Sequence, residues 1–169
     1  DYKEEVDILL KKFDEKQVKT KYRVAVYIAL FCGLRSGEIL GLEWKDIDLE
    51  EKILEINRTS IYVNRKIITK EPKNESSIRK VYFGEVLKKE LLRHKKKQEE
   101  LESLSDDWKG TDRILTTNDG KPMFPQTPGQ WFYKFIKRNN LKKITFHELR
   151  HTAATLMIGN GTDVKTVAE

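Results

Sequence analysis

The chain has 169 residues, of which 38% are apolar and 36% charged, and a formal charge of +6. That length holds one domain with its own core, and no apolar run approaches the ~18 residues of a membrane-spanning helix. The single cysteine, Cys32, excludes an internal disulfide, and the positive excess suits an acidic partner, of which nucleic acid is the usual one.

In chain order, Glu4 to Phe13 puts Val6, Leu9, Leu10 and Phe13 on one helical face, with acids in the first turn and lysines later, as the helix dipole favours. Thr20 to Leu34 is apolar on most sides and predicts a central helix that stops near Gly33. Cys32, inside that apolar run, reads as a small packing residue, since a reactive thiol wants a charged, exposed setting. Ser36 is placed to cap a short helix whose Ile39, Leu40 and Leu42 turn inward. Three strands are expected next, at Ile53 to Ile56, Thr59 to Ile68 and Ile78 to Phe83, with the polar turn Thr69 to Ser77 before the last. Glu85 to Leu104 is a long charged helix. Its run from His94 to Glu100 reads as a solvated face, which leaves His94 no role. Asp106 to Pro128 is loop-rich, with turns at Asp119-Gly120 and Pro122 and a short apolar piece at Ile114-Leu115. Gln130 to Asn139 predicts a helix burying Trp131, Phe132, Phe135 and Ile136. His147 to Ile158 predicts another, and Asp163 can cap one more. The expected fold class is α+β, mainly helical, with a small antiparallel sheet of three strands.

Phosphodiester strand transfer without a metal gathers negative charge on the non-bridging oxygens, which two fixed guanidinium groups can neutralise. The leaving 5′ oxygen needs a proton donor and the nucleophile a base, tasks that histidine performs near neutral pH. Arg35 follows a tight turn after the buried helix, and His147 and Arg150 stand three apart, on one helical face. Lys73 lies at the tip of the polar turn. Taken singly, an arginine after a helix is commonly a surface residue or a C-cap donor, and a His-x-x-Arg pair is commonly a surface pair.

The combination narrows the reading. Gly33-Leu34-Arg35-Ser36-Gly37-Glu38-Ile39-Leu40-Gly41-Leu42 resembles the first conserved box of the tyrosine site-specific recombinases, the phage integrase family, and Thr145-Phe146-His147-Glu148-Leu149-Arg150-His151-Thr152-Ala153-Ala154-Thr155 resembles the second. Between them, Pro72-Lys73 through Ser77-Ile78-Arg79-Lys80-Val81 is similar to the strand turn that carries the family's lysine. The resemblance spans nearly the whole chain and implies the integrase-type DNA breaking-rejoining fold. It implies that Arg35 and Arg150 bind the scissile phosphate, that His147 is a general acid/base and phosphate contact, and that Lys73 protonates the leaving 5′ hydroxyl. Lys70, in the same turn, is its rival. Glu38, three after Arg35, matches an acidic residue that supports the site, and is otherwise a helix-surface carboxylate or a partner of Arg35. His151, ~100° around the helix from Arg150, is a packing or hydrogen-bonding residue. The implied activity is site-specific recombination or integration of double-stranded DNA through a 3′-phosphotyrosine, with no ATP, metal or other cofactor. A phage or mobile element would encode it, and it would act in the cytoplasm.

The departures matter as much. All six tyrosines (Tyr2, Tyr22, Tyr27, Tyr62, Tyr82 and Tyr133) precede the second box, so none matches the family nucleophile. The family continues, after a segment like Val164 to Glu169, with a Gly-His or Gly-Trp box and then the tyrosine. It also carries a separate DNA-clamping domain before a segment like Glu4-Glu5-Val6. On this reading residues 1–169 are a catalytic domain incomplete at the C-terminus and without the core-binding domain. Such a fragment is expected to bind DNA, cleave nothing and be monomeric, where full-length recombinases of the family act as tetramers on DNA. Val81-Tyr82-Phe83 stands where such integrases have Ile-Pro-Leu, a change the strand should survive. A non-catalytic DNA-binding module that retains the phosphate clamp, a type IB topoisomerase and a metal-dependent nuclease are the rivals. The last is disfavoured because the acids, three histidines and one cysteine show no ligand spacing.

Overall fold

The computed structural model describes residues 2–74, 78–152 and 165–168. Helix α1 (Tyr2–Glu15) buries Val6, Leu9 and Phe13. The most apolar stretch becomes the central helix α2 (Thr20–Cys32), in which every residue from Arg23 to Leu30 is buried. Cys32 lies in the core as expected, and burial pushes its thiol pKa up. The only charge inside α2's buried run is Arg23, and it is paired. Its Nη2 donates to Glu90 Oε1 at 2.7 Å and its Nε to Glu90 Oε2 at 3.1 Å, while Nη1 reaches Asp14 at 2.8 Å. Those hydrogen bonds, to Glu90 foremost, hold the guanidinium in its charged form.

After α2 come α3 (Ser36–Gly41) and a short 3-10 turn (Trp44–Asp46), then the strands β1 (Ile47–Asp48), β2 (Ile53–Ile56), β3 (Thr59–Val63), β4 (Lys66–Lys70) and β5 (Arg79–Tyr82). The helical class with a small antiparallel sheet stands, but the strands are arranged differently from the expected three. The stretch from Thr59 to Ile68 is a hairpin, not one strand. Asn64 (φ 50) and Arg65 (φ 65) both adopt the left-handed region, the two-residue turn whose twist suits a tight hairpin. This hairpin is a sheet of its own. The other sheet has the order β1-β2-β5-β6, antiparallel throughout. Its last strand, β6 (Lys165–Ala168), lies where the sequence suggested another helix, and pairs along the whole of β5 from Arg79↔Ala168 to Tyr82↔Lys165. Asp163 is outside the described residues.

The hairpin lies against α3 at two glycines. A Cβ on Gly37 would sit 2.8 Å from the Ser60 carbonyl oxygen, and one on Gly41 2.7 Å from that of Arg58, so no side chain fits at either position. Arg58 completes the seat by donating to the Gly41 carbonyl at 2.9 Å.

Helix α4 (Glu85–Leu104) corrects the reading of His94. Leu87, Leu91, His94 and Gln98 are all buried, on one face at four-three-four spacing. The lysines between them supply the solvated side. His94 Nε2 lies 2.7 Å from the Ile114 carbonyl oxygen and must donate to it, so Nδ1 accepts from the Thr20 hydroxyl at 2.9 Å. His94 thus joins α4, α2 and the loop before α5 (Thr127–Arg138). Burial lowers its pKa from the ordinary 6.5. The unfolded chain therefore binds the more protons just below that value, and the stability due to neutral His94, full above pH 6.5, falls as pH drops towards the folded pKa. Urea midpoints are expected to fall between pH 7.5 and pH 5, and His94→Gln to flatten that slope. An unchanged slope in the variant would place the pH dependence elsewhere.

Helix α5 starts earlier than expected and packs Phe132, Phe135 and Ile136 into the core. Trp131 is half-buried, stacked on Tyr22 at 4.6 Å between ring centroids and edge-on to Phe13 at 5.8 Å. Residues 146–152 form a further helix, α6; its expected continuation to Ile158 lies outside the described residues. No described helix is long and apolar enough to cross a membrane.

Candidate functional site

The site begins where α2 ends. Gly33 takes the left-handed conformation (φ 70), and its N–H donates back to the Ala29 carbonyl at 3.2 Å, which closes the helix. The chain then extends through Arg35 (φ −75, ψ 155), the residue that precedes the first turn of α3. The capping residue is thus Arg35 and not Ser36. Ser36 sits one place inside the helix and donates its hydroxyl to the Pro125 carbonyl at 2.7 Å, tying α3 to the loop before α5. An arginine side chain cannot accept a hydrogen bond, so the cap works in reverse: buried Glu38 reaches back and its Oε1 accepts the Arg35 backbone N–H at 2.9 Å. Arg79 closes on the same carboxylate with two bonds, Nη1 to Oε2 at 3.0 Å and Nη2 to Oε1 at 3.2 Å. Glu38 thus holds the backbone of Arg35. The Arg35 side chain is exposed and makes no hydrogen bond or ion pair among the described residues.

Helix α6 starts with Thr145 and Glu148 capping each other. Glu148 N–H donates to Thr145 Oγ1 at 3.1 Å, and the Thr145 hydroxyl donates to Glu148 Oε1 at 3.1 Å. Buried Phe146 and Leu149 seat the helix, which leaves His147 exposed in its first turn. Arg150, one turn further, is half-buried and donates Nε–H to the Gly33 carbonyl at 2.8 Å. With Nε on the backbone, the two terminal nitrogens of the guanidinium make no other bond among the described residues. They can offer an oxyanion a two-pronged contact. His151 is exposed and packs edge-on against His147, with ring centroids 5.5 Å apart.

Arg35 and His147 line one open cleft of ≈ 500 Å³ together with Ser36, Gln130, Tyr133 and Lys134. No carboxylate is among its described lining residues, and the charges of Arg35 and Lys134 are therefore unopposed there. Arg150 reaches the turn that carries Arg35 from α6, and Glu38 lies beneath it. The structure thus gathers four of the five predicted residues at one end of α2. Lys73 is apart. It is exposed in the turn between β4 and β5 and does not line the cleft, and its rival Lys70 ends β4 opposite Thr59. Sequence reasoning missed Gln130, Tyr133 and Lys134, which share the solvent face of α5 at three- and four-residue spacing. It also missed Arg79, although Arg79 and Val81 alternate onto the same sheet face and an inward arginine asks for a carboxylate. Among the described residues there is no group of three or more His, Cys, Asp or Glu that could hold a metal ion.

Comparison with known proteins gives this geometry a family. The chain is 34% identical over 175 aligned residues to a tyrosine recombinase XerC-like protein of Caldanaerobacter subterraneus, which covers 95% of this chain and 44% of that protein. It is 31% identical to the ICEBs1 integrase of Bacillus subtilis, over 92% of this chain and 41% of that one. Its fold superposes on the Tn1549 transposon integrase in complex with transposon right end DNA with a TM-score of 0.72 and 26% identity, covering 86% of this chain and 48% of the other. XerA recombinase shares the fold at a TM-score of 0.71 over 94% of this chain and 50% of that one. The chain therefore spans less than half the length of these curated relatives. A model of the phage integrase family matches residues 2–169, and the chain belongs to that family.

Proposed function

We propose that this chain is the phosphate-binding catalytic segment of a tyrosine recombinase that cuts and rejoins double-stranded DNA. The observation that carries the reading is the cleft that Arg35 and His147 share, with no carboxylate among its described lining residues, and with Arg150 fixed by its Nε to the carbonyl of Gly33, two residues before Arg35. Arg35 and Arg150 contact the non-bridging oxygens of one phosphodiester and neutralise the charge that grows on them. A tyrosine oxygen attacks phosphorus, His147 takes the phenolic proton, and the 5′ oxygen leaves with a proton from Lys73. The phosphodiester energy is kept in the 3′-phosphotyrosine, so rejoining needs no ATP. Glu38 serves through the backbone of Arg35, without touching DNA.

None of the six tyrosines in these 169 residues is proposed as nucleophile. Tyr27 is buried, and burial together with Glu90 pushes its pKa up to about 12. Tyr22 is stacked on Trp131, and Tyr62 and Tyr82 belong to strands. Among the described residues Tyr133 is the one tyrosine that lines the cleft, from the α5 face that also presents Gln130 and Lys134. We assign it to DNA contact. The 169-residue chain is therefore expected to shift a nicked duplex in a gel and to leave no protein–DNA adduct after denaturation. It is also expected to be monomeric by light scattering. An adduct that disappears in Tyr133→Phe would overturn the assignment; no shift at low salt would overturn the DNA-binding reading itself.

A further inference from the structure

The turn that carries Lys73 leaves β4 at Lys70 and returns to β5 at Arg79, and both of its stems are tied to α3. On the incoming stem the buried Arg113 guanidinium donates Nη1–H to the Leu40 carbonyl of α3 at 2.9 Å and Nη2–H to Thr69 Oγ1 at 2.8 Å. On the outgoing stem Arg79 grips Glu38 of α3 with two bonds, at 3.0 and 3.2 Å. Glu38 in turn accepts the Arg35 backbone N–H at 2.9 Å. One helix is thus the mount for Arg35 at its start and, through two arginine bridges, for the Lys73 turn. The close seat of the hairpin on Gly37 and Gly41 braces the same helix from the side.

We propose that Arg79 and Arg113 are positioning residues for Lys73, setting its turn relative to Arg35 by bridging both stems to α3. The proposal rests on the reading of Arg35 and Lys73 as parts of one phosphate site. A lysine is a point charge on a flexible stem, and a proton donor acts only within hydrogen-bond reach. A turn attached by its hairpin alone could carry that charge past the phosphate. A planar guanidinium holding two acceptors fixes direction as well as distance. Arg79 is the more separable of the two bridges, because its side chain is 34% exposed against 8% for Arg113, although Arg79→Met leaves the buried Glu38 carboxylate with the Arg35 N–H as its remaining partner and lowers stability.

The test is a double-mutant cycle on the 169-residue chain with a mixed-sequence duplex, read by fluorescence anisotropy across a salt series. In the wild-type background Lys73→Ala is expected to weaken binding about three- to fivefold and to lower the salt slope by about one. In the Arg79→Met background the same change is expected to do almost nothing, because the lysine is no longer held at the phosphate. Arg79→Lys should restore part of the coupling. Thr69→Val repeats the cycle on the other stem and replaces it if Arg79→Met fails to fold, which circular dichroism decides. Equal losses from Lys73→Ala in both backgrounds, with Arg35→Ala still weakening binding, would overturn the positioning role alone. No effect of Arg35→Ala would instead overturn the shared phosphate site on which it rests.

Discussion

Replacing Arg35 by alanine is expected to lower the affinity of the chain for duplex DNA by about ten- to a hundredfold at fixed salt, the loss of one charge-assisted, two-pronged phosphate contact. The slope of log affinity against log salt should become shallower by about one, since one fewer counterion is released. Arg35→Lys keeps the charge but not the planar fork, so it should recover the slope and only part of the affinity. Thermal unfolding should be nearly unchanged, because the exposed side chain makes no bond among the described residues. The backbone N–H that Glu38 holds survives the substitution. Lys11→Ala, on the exposed side of α1, is the control for net charge. If it weakens binding as much as Arg35→Ala does, the DNA is held by diffuse charge and the cleft has no special part.

The largest expected loss of stability is at Arg23. Arg23→Met removes the cation that neutralises Glu90, whose side chain is only 6% exposed, and a buried carboxylate left unpaired costs about 3–5 kcal/mol. Asp14 loses the same partner but is largely exposed and matters little. Arg93 stands 3.6 Å from Glu90 on the solvent side and is a weak substitute. Urea denaturation at pH 7.5 reads the loss. Arg23→Met combined with Glu90→Met should regain most of the loss, since an apolar pair can replace a buried ion pair. A double variant no more stable than Arg23→Met alone would mean that the arginine contributes by packing and not by neutralising Glu90.

Much of the fold was legible because burial is written as periodicity. The unbroken apolar run of α2 and the spaced aromatics of α5 could only be core elements. The hairpin was not legible, because its turn uses Asn64-Arg65, and without a glycine the β-branched run around it looks continuous. His94 and Gln98 were hidden by the lysines between them, although their spacing from Leu87 and Leu91 continues the inward face. At the site, the two boxes marked Arg35, His147 and Arg150, and the structure brings all three to the α2–α3 turn. The mounting of Lys73 could not be read. Arg113 lies in a loop after α4 and meets Thr69 and Leu40 only through the fold, and such distant pairings leave no local pattern.

The bond from Arg150 to the Gly33 carbonyl joins residues 117 positions apart. It has a consequence for the order of events during synthesis and folding. Contacts of such long separation close late, because the intervening chain must first be ordered. The α2–α3 turn, with Arg35 and Glu38, can form from local sequence, whereas the second guanidinium arrives only when α6 docks. A partly folded chain therefore presents one of the two arginines, and the proposed two-armed grip on a single phosphate requires that the C-terminal third has folded back onto the first.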